Sequence, residues 1–186
     1  MKAKSSALLI GAVVAVSAAV LALAAPMGGE IPAARAQAAP EFKDIDTWIN
    51  SPPLRLDQLR GKVVLVDFWT YGCINCLNHL PYLKEWDAKY KDRGLVVVGV
   101  HTPEFAYEKS AKNVREAVEK LQIRHAVAQD NSYSTWKAFR NQYWPAVYLI
   151  DKQGRIVYSQ FGEGSYGTTE RKIQALLAEQ PVEALR

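Results

Sequence analysis

The chain has 186 residues, 49% of them hydrophobic and 23% charged, with a formal net charge of +4, which is one domain's worth plus an extension. Setting aside Lys2, Lys4, Arg35 and Glu30 at the N-terminus leaves +2. No basic stripe with interleaved aromatics occurs, so nucleic acid is not an implied partner.

Lys2 and Lys4 form a short basic start, and Ala7 to Ala25 is an uncharged apolar run of 19 residues. Ala34-Arg35-Ala36 then offers an A-x-A cleavage site. Residues 1–36 therefore read as a signal peptide, or as an N-terminal membrane anchor, since the apolar run is about as long as a bilayer is thick. Either way residues 37–186 are expected outside the cytoplasm, periplasmic or extracytoplasmic, because the lysines stay inside.

Phe42, Ile45, Trp48 and Ile49 suit a short strand or a helical turn, ended by Ser51-Pro52-Pro53. Leu54-Arg55-Leu56 alternates like an edge strand. Val63 to Trp69 is β-branched or apolar throughout, as a strand covered on both faces should be. From Ile74 to Lys91 the positions Leu77, Leu80, Leu83, Trp86 and Tyr90 recur at helical spacing, and Gly94 is placed to cap the end. Leu95 to Val100 is a second buried strand. Thr102-Pro103-Glu104 resembles a cap with proline at the first helical position, leading to a helix through Ala111 to Leu121. His125 to Ala128 suits a short strand and Asn131 to Asn141 a short helix. Ala146 to Ile150 and Ile156 to Tyr158 are strands joined by the turn Asp151-Lys-Gln-Gly154, and Thr168 to Glu179 closes the chain as a helix.

This order gives an α/β domain of thioredoxin fold. A mixed central sheet is flanked by helices, with an N-terminal strand or hairpin extension and a central helical insertion. At its centre lie the two cysteines of the sequence, Cys73 and Cys76. They sit where the Val63–Trp69 strand passes into a helix. Thiols at i and i+3 can close a disulfide with little backbone movement, and the first lies at the positive end of the helix, where a thiolate is stabilised. A structural bridge is a poor use of this spacing, because so small a loop removes little unfolded-state entropy. The pair reads as a redox-active dithiol. Cys73 is the expected nucleophile, with Gly72 letting the backbone come close, and Cys76, one turn into the helix, the resolving thiol.

Phe68-Trp69-x-x-x-Cys-x-x-Cys, with Asp67 six residues before Cys73 and Pro81 five after Cys76, resembles thioredoxin. The export segment and Leu59-Arg-Gly-Lys62 resemble the exported TlpA-type branch. More specifically, four stretches resemble the thioredoxin-like domain of DipZ proteins: Trp69 to Cys76, Val98 to Phe105, Asn141 to Ala146 and Phe161 to Gly164. The resemblance covers about residues 54–177. It implies thiol–disulfide oxidoreductase activity on protein disulfides, with no cofactor. In DipZ proteins a membrane electron-transfer domain precedes the thioredoxin domain. This sequence carries none, so a separate membrane electron-transfer protein is the expected redox partner.

The resemblance also assigns neighbours of the dithiol. Asp67, on a strand among apolar residues, should have a raised pKa and accept the Cys76 proton during resolution. The Trp144-Pro145 bond is cis by resemblance and lies against the disulfide, leaving backbone groups free to pair with a substrate strand, while Trp144 forms an apolar platform. Trp69 and Tyr71 flank the site, as core packing or as substrate contacts. Ile74 and Asn75 bring no cation to the thiolate, which argues for a reducing protein nearer thioredoxin's potential of about −270 mV than the about −120 mV of DsbA.

His79 shares a helix face with both cysteines. It either tunes the dithiol or is merely solvated, and a Cys2His zinc site lacks a fourth ligand. Leu77 stands where a c-type haem would require histidine. His101 suits a loop-anchoring role, His125 has none assigned, and Glu104 and Glu163 fall in the matched motifs without a mechanism. Two other functions compete. Thr70-x-x-Cys73 imitates a thiol peroxidase, and two cysteines with a histidine could serve a copper chaperone, although its usual cysteine spacing is one residue longer.

Overall fold

The computed structural model describes residues 29–30 and 36–180. The segment expected to direct export, residues 1–36, therefore lies outside the described residues apart from Gly29, Glu30 and Ala36. Among the described residues no helix is long and apolar enough to cross a membrane.

The elements are β1 (Gly29–Glu30), β2 (Gln37–Ala38), β3 (Thr47–Ile49), β4 (Val63–Trp69), α1 (Ile74–Tyr90), β5 (Leu95–His101), α2 (Ala111–Lys120), β6 (Ala126–Gln129), α3 (Ser134–Ala138), β7 (Ala146–Ile150), β8 (Arg155–Phe161) and α4 (Tyr166–Ala178). They build one mixed sheet in the order β1, β8, β7, β4, β5, β6, β3, with β2 also on β8. β4 is parallel to β5 and antiparallel to β7. β3 is the N-terminal strand extension, pairing antiparallel with β6, and α2 is the helical insertion between β5 and β6.

All of β4 is buried, because helices and loops cover both faces. Its side chains alternate between two layers. Val63, Leu65 and Trp69 join Leu80, Leu83, Trp86, Val114, Val118 and Ile173 from α1, α2 and α4. Val64, Val66 and Phe68 join Trp136, Phe139, Tyr148 and Leu56 on the other face. Asp67 has the parity of the first set, so its carboxyl points toward the α1 side. Burying side chains such as Leu83 and Trp86 stabilises by about 2–3 kcal/mol each.

Three expectations change at their ends, each for a hydrogen-bonding reason. Leu54 to Leu56 is not an edge strand. Residues Leu56–Leu59 form a 3-10 turn, and its first N–H groups, of Leu56 and Asp57, donate to the Glu41 carboxylate at 2.8 and 2.7 Å. No helix starts at Pro103. A separate 3-10 turn occupies Ala106–Lys109, and α2 begins only after Ser110, whose Oγ accepts the Asn113 N–H at 3.4 Å. α3 is shorter than Asn131 to Asn141 because the Asp130 carboxylate accepts the Thr135 and Trp136 N–H groups at 3.3 and 2.8 Å, fixing a late start.

Elsewhere the signals hold. Gly94 adopts φ 101°, left-handed as its capping position requires, and donates to Lys91 O at 3.1 Å. The β7–β8 turn is closed by the Asp151 carboxylate, which accepts the Gln153 and Arg155 N–H groups at 3.0 and 2.8 Å.

Candidate active site

Cys73 is the N-cap of α1, and its Sγ accepts the Cys76 N–H at 3.3 Å. That bond satisfies one of the donors a helix start leaves unpaired and directs helix-terminal polarity at the sulfur. The two cysteines are not bridged. Cys73 is half-buried, whereas Cys76 is only 3% exposed. Burial, then the hydrogen bond with Cys73, then the nearby Asp67 charge all push the Cys76 thiol well above the usual thiol range, against a lowering backbone contact from Thr70. One sulfur is thus accessible and capped, the other shielded behind it.

Asp67 lies at the floor of the site, 2% exposed, and burial raises its pKa to about 8. The residue facing it is His79, also 2% exposed, with Nε2 at 3.8 Å from Asp67 Oδ1. Burial lowers the His79 pKa to about 4. The separation is longer than a hydrogen bond, and desolvation favours the neutral form of both groups, so at neutral pH the pair is not an ion pair. His79 is therefore not a solvated side chain. It occupies the buried stripe of α1 beside Cys76, Leu80, Leu83 and Trp86, with its ring 5.5 Å from that of Tyr166.

The Trp144–Pro145 peptide is cis. Ala146 pairs with Phe68, so Pro145 sits at the end of β7 beside the end of β4, where the chain leaves for Cys73. The Trp144 indole N–H donates to Thr102 O at 3.1 Å, and its ring lies 4.2 Å from that of Trp136. Trp144 is half-buried, tied inward by that hydrogen bond and ring contact.

Trp69 resolves in favour of packing. At 3% exposure it is a core residue, and it offers substrate no surface. A Cβ on Gly99 would come within 2.9 Å of Trp69 Nε1, so that glycine makes room for the indole. Tyr71 is half-buried, stacks on His101 at 5.4 Å and donates from its hydroxyl to Tyr107 O at 3.2 Å. Among the described residues Ile74 is the most open of the large apolar side chains, 66% exposed, and Asn75 is exposed beside it.

His101 anchors a loop, as its position suggested. It is buried at the end of β5, and its Nε2 lies 3.3 Å from Thr70 Oγ1. Glu163 accepts from Asn78 Nδ2 at 3.2 Å, tying the glycine-flanked loop to α1. Glu104 contributes its backbone instead of its side chain: its N–H donates to Glu108 Oε2 at 2.6 Å.

Glu108 is the residue the sequence reading passed over. It is fully buried, and Oε1 accepts the Gly72 N–H at 3.0 Å while Oε2 also accepts the Phe105 N–H at 2.9 Å. The residue types gave no signal for it, because the capping-box pattern needs a serine or threonine three residues before the glutamate and Phe105 stands there. Phe105 and Tyr107 project from the same loop, exposed and stacked at 5.6 Å. Among the described residues no group of three His, Cys, Asp or Glu side chains is placed to hold a metal ion.

A half-exposed capped thiol, a buried partner thiol, an acid behind them and a cis-proline loop define a thioredoxin-like thiol–disulfide oxidoreductase. The Redoxin family model matches residues 34–177, and the chain belongs to that family. It is 50% identical to Protein DipZ of Mycobacterium bovis over 142 residues, covering 75% of this chain but 20% of DipZ. The chain thus spans about a fifth of that relative's length. It is 29% identical to the thiol–disulfide oxidoreductase YkuV of Bacillus subtilis, covering 77% of this chain and 96% of YkuV. Among solved structures, a thioredoxin-like protein in its oxidized form matches with TM-score 0.70 and 30% identity, covering 78% of this chain and 97% of its own. A putative thiol:disulfide interchange protein DsbE from Chlorobium tepidum matches with TM-score 0.67 and 25% identity, covering 77% and 97%.

Proposed function

We propose that the protein is an exported disulfide reductase in which Cys73 attacks and Cys76 resolves. The asymmetry of the two sulfurs carries this reading: Cys73 is half-open and capped by the Cys76 N–H, and Cys76 is shielded next to Asp67. The Cys73 thiolate attacks a substrate disulfide, forms a mixed disulfide and expels one substrate thiolate. Cys76 then gives its proton to the Asp67 carboxylate and attacks Cys73 Sγ. A Cys73–Cys76 disulfide forms and the second substrate thiol leaves, so that two electrons have passed to the substrate. The acceptor is the ionised fraction of Asp67, which grows through a pKa of about 8.

The substrates are protein disulfides. The polypeptide pairs in extended form with the backbone beside cis-Pro145, with Ile74, Tyr71 and Trp144 around it as the apolar rim. The export-signal pattern of residues 1–36 supports a place outside the cytoplasm. There the oxidised pair is returned to dithiols by a separate membrane electron-transfer protein. The absence of a cation at Ile74-Asn75 supports the reducing direction.

Two measurements test this. The Cys73–Cys76 reduction potential, by equilibration with glutathione, is expected near about −270 mV, and a value near about −120 mV overturns the reducing direction. A fusion of residues 1–36 to alkaline phosphatase is expected to be active, and an inactive fusion overturns export. Neither competing function gains from the site. Thr70 is fully buried against His101, and His79 faces Asp67 instead of the sulfurs' open side.

A further inference from the structure

We infer that Glu108 is a positioning residue for the exchange reaction: its buried carboxylate clamps the Gly72 peptide, one residue before Cys73, to the loop running from Thr102 to Ser110. The inference rests on Cys73 being the attacking sulfur.

Three backbone N–H groups converge on this carboxylate. Oε2 takes those of Glu104 and Phe105, at 2.6 and 2.9 Å, and Oε1 takes that of Gly72 at 3.0 Å. The first two close the loop's own 3-10 turn and would satisfy a merely structural cap. The third reaches across 36 residues of sequence to the turn that carries the nucleophile. Burying a carboxylate is costly unless its lone pairs are met by donors. Here backbone donors meet them, and among the described residues Glu108 has no ion pair.

The Gly72 side of the contact is equally constrained. A Cβ at this position would lie 2.4 Å from Glu108 Oε1 and 3.1 Å from Tyr107 Oη, and Gly72 has no left-handed φ that would demand glycine by itself. The close approach of the carboxylate is therefore what requires glycine here. Tyr71, one residue earlier, donates its hydroxyl to Tyr107 O at 3.2 Å. Both residues before Cys73 are thus held by the same loop. Cys73 inherits that position: its N–H donates to Thr70 O at 3.4 Å, and its Sγ accepts from Cys76 N–H. A displacement of the Gly72 peptide moves the sulfur off the helix terminus, and misplacement of about 1 Å can cost a reacting group as much as about a hundredfold in rate.

Donor counting selects the variants. Glu108→Gln keeps the shape but has one acceptor oxygen. Turned to the two loop N–H groups, it sets its own NH2 against the Gly72 N–H and releases only the active-site contact. Gly72→Ala breaks the same contact from the other side, and Glu108→Ala removes the oxygen the new methyl would strike.

The test measures insulin reduction rate and the dithiol's equilibrium constant with glutathione in wild type, the three single variants and the Gly72→Ala/Glu108→Ala double variant, with thermal midpoints confirming folding. Each single variant should lose about tenfold in rate and shift the glutathione constant several-fold. The double variant should lose little beyond either single, because one contact is being deleted twice. Unchanged rates and constants in folded Glu108→Gln, or multiplicative losses in the double variant, overturn the inference. Should both Glu108 variants fail to fold, Gly72→Ala alone decides, and wild-type behaviour overturns it. If the wild type itself fails to reduce insulin, the proposed function fails, while the glutathione constants still report on Glu108.

Discussion

Asp67 Oδ1 and His79 Nε2 face each other at 3.8 Å beneath the dithiol, and neither atom has a hydrogen-bond partner among the described residues. Two unpaired polar groups inside an apolar layer are expensive, and a helix stripe would ordinarily place leucine at position 79. Their persistence beside Cys76 fits proton handling, with the carboxyl as acceptor and the imidazole facing it.

Asp67→Asn should slow the resolution step on the order of tenfold or more, leaving the first attack by Cys73 nearly unchanged. The check is rapid-mixing measurement of mixed-disulfide decay between pH 6 and 9. In the wild type the decay rate should rise through about pH 8, following ionisation of Asp67. In the variant that rise should vanish. An identical profile in both removes Asp67 from the mechanism.

The same residue sets a stability trade-off with a definite sign. Its folded pKa of about 8 lies above the model-compound value of 3.8, so the native state binds the extra proton. Its contribution is favourable below about pH 4 and is progressively lost as pH rises to about 8. Asp67→Asn should therefore stabilise the protein at pH 8, on the order of 3 kcal/mol. At pH 4 the two proteins should unfold at similar denaturant concentration. Urea titrations at both pH values supply the comparison.

The contrast between Asp67 and Glu108 shows what the sequence discloses. β4, α1, β5 and the β7–β8 hairpin were legible because apolar periodicity and turn residues are local. The dithiol and Asp67 were legible because their spacing is local too, and cis-Pro145 because the resemblance supplied it. Glu108 was hidden, since its role is a contact across 36 residues to a backbone N–H, which leaves no pattern in residue types. Trp69 could not be decided for a related reason: an aromatic next to an active site looks the same in sequence whether its face is open or covered by β5. His79 was the middle case. Its place on the α1 stripe was readable from the spacing to Leu83 and Trp86, but the facing carboxyl was not.

Three buried histidines make the protein sensitive to mild acid. Burial lowers the pKa values of His79, His101 and His125 to about 4, from the usual 6.5 of a free imidazole. A depressed pKa means that stability is fully present above about pH 6.5 and is lost as pH falls through about 4, where native imidazoles must take up protons in apolar surroundings. The thermal midpoint should drop steadily between pH 6.5 and 4. His101→Asn, which keeps a polar group near Thr70 without a titrating imidazole, should make that drop shallower. An equally steep fall in the variant removes His101 as a contributor.

Cys76→Ser should convert the protein into a trap. Cys73 remains half-exposed and able to attack, since its N–H still donates to Thr70 O and its Sγ still accepts the residue 76 backbone N–H. With serine behind it no thiolate can release the bound substrate, and the mixed disulfide persists. The reverse variant, Cys73→Ser, leaves the remaining thiol only 3% exposed, and the rise in its pKa keeps it protonated. It should form essentially no mixed disulfide and lose at least about a hundredfold in insulin reduction. Intact-mass spectrometry after incubation with an oxidised peptide reads both outcomes. Adducts forming equally on the two variants would mean that the sulfurs share the attacking role, contrary to their difference in burial.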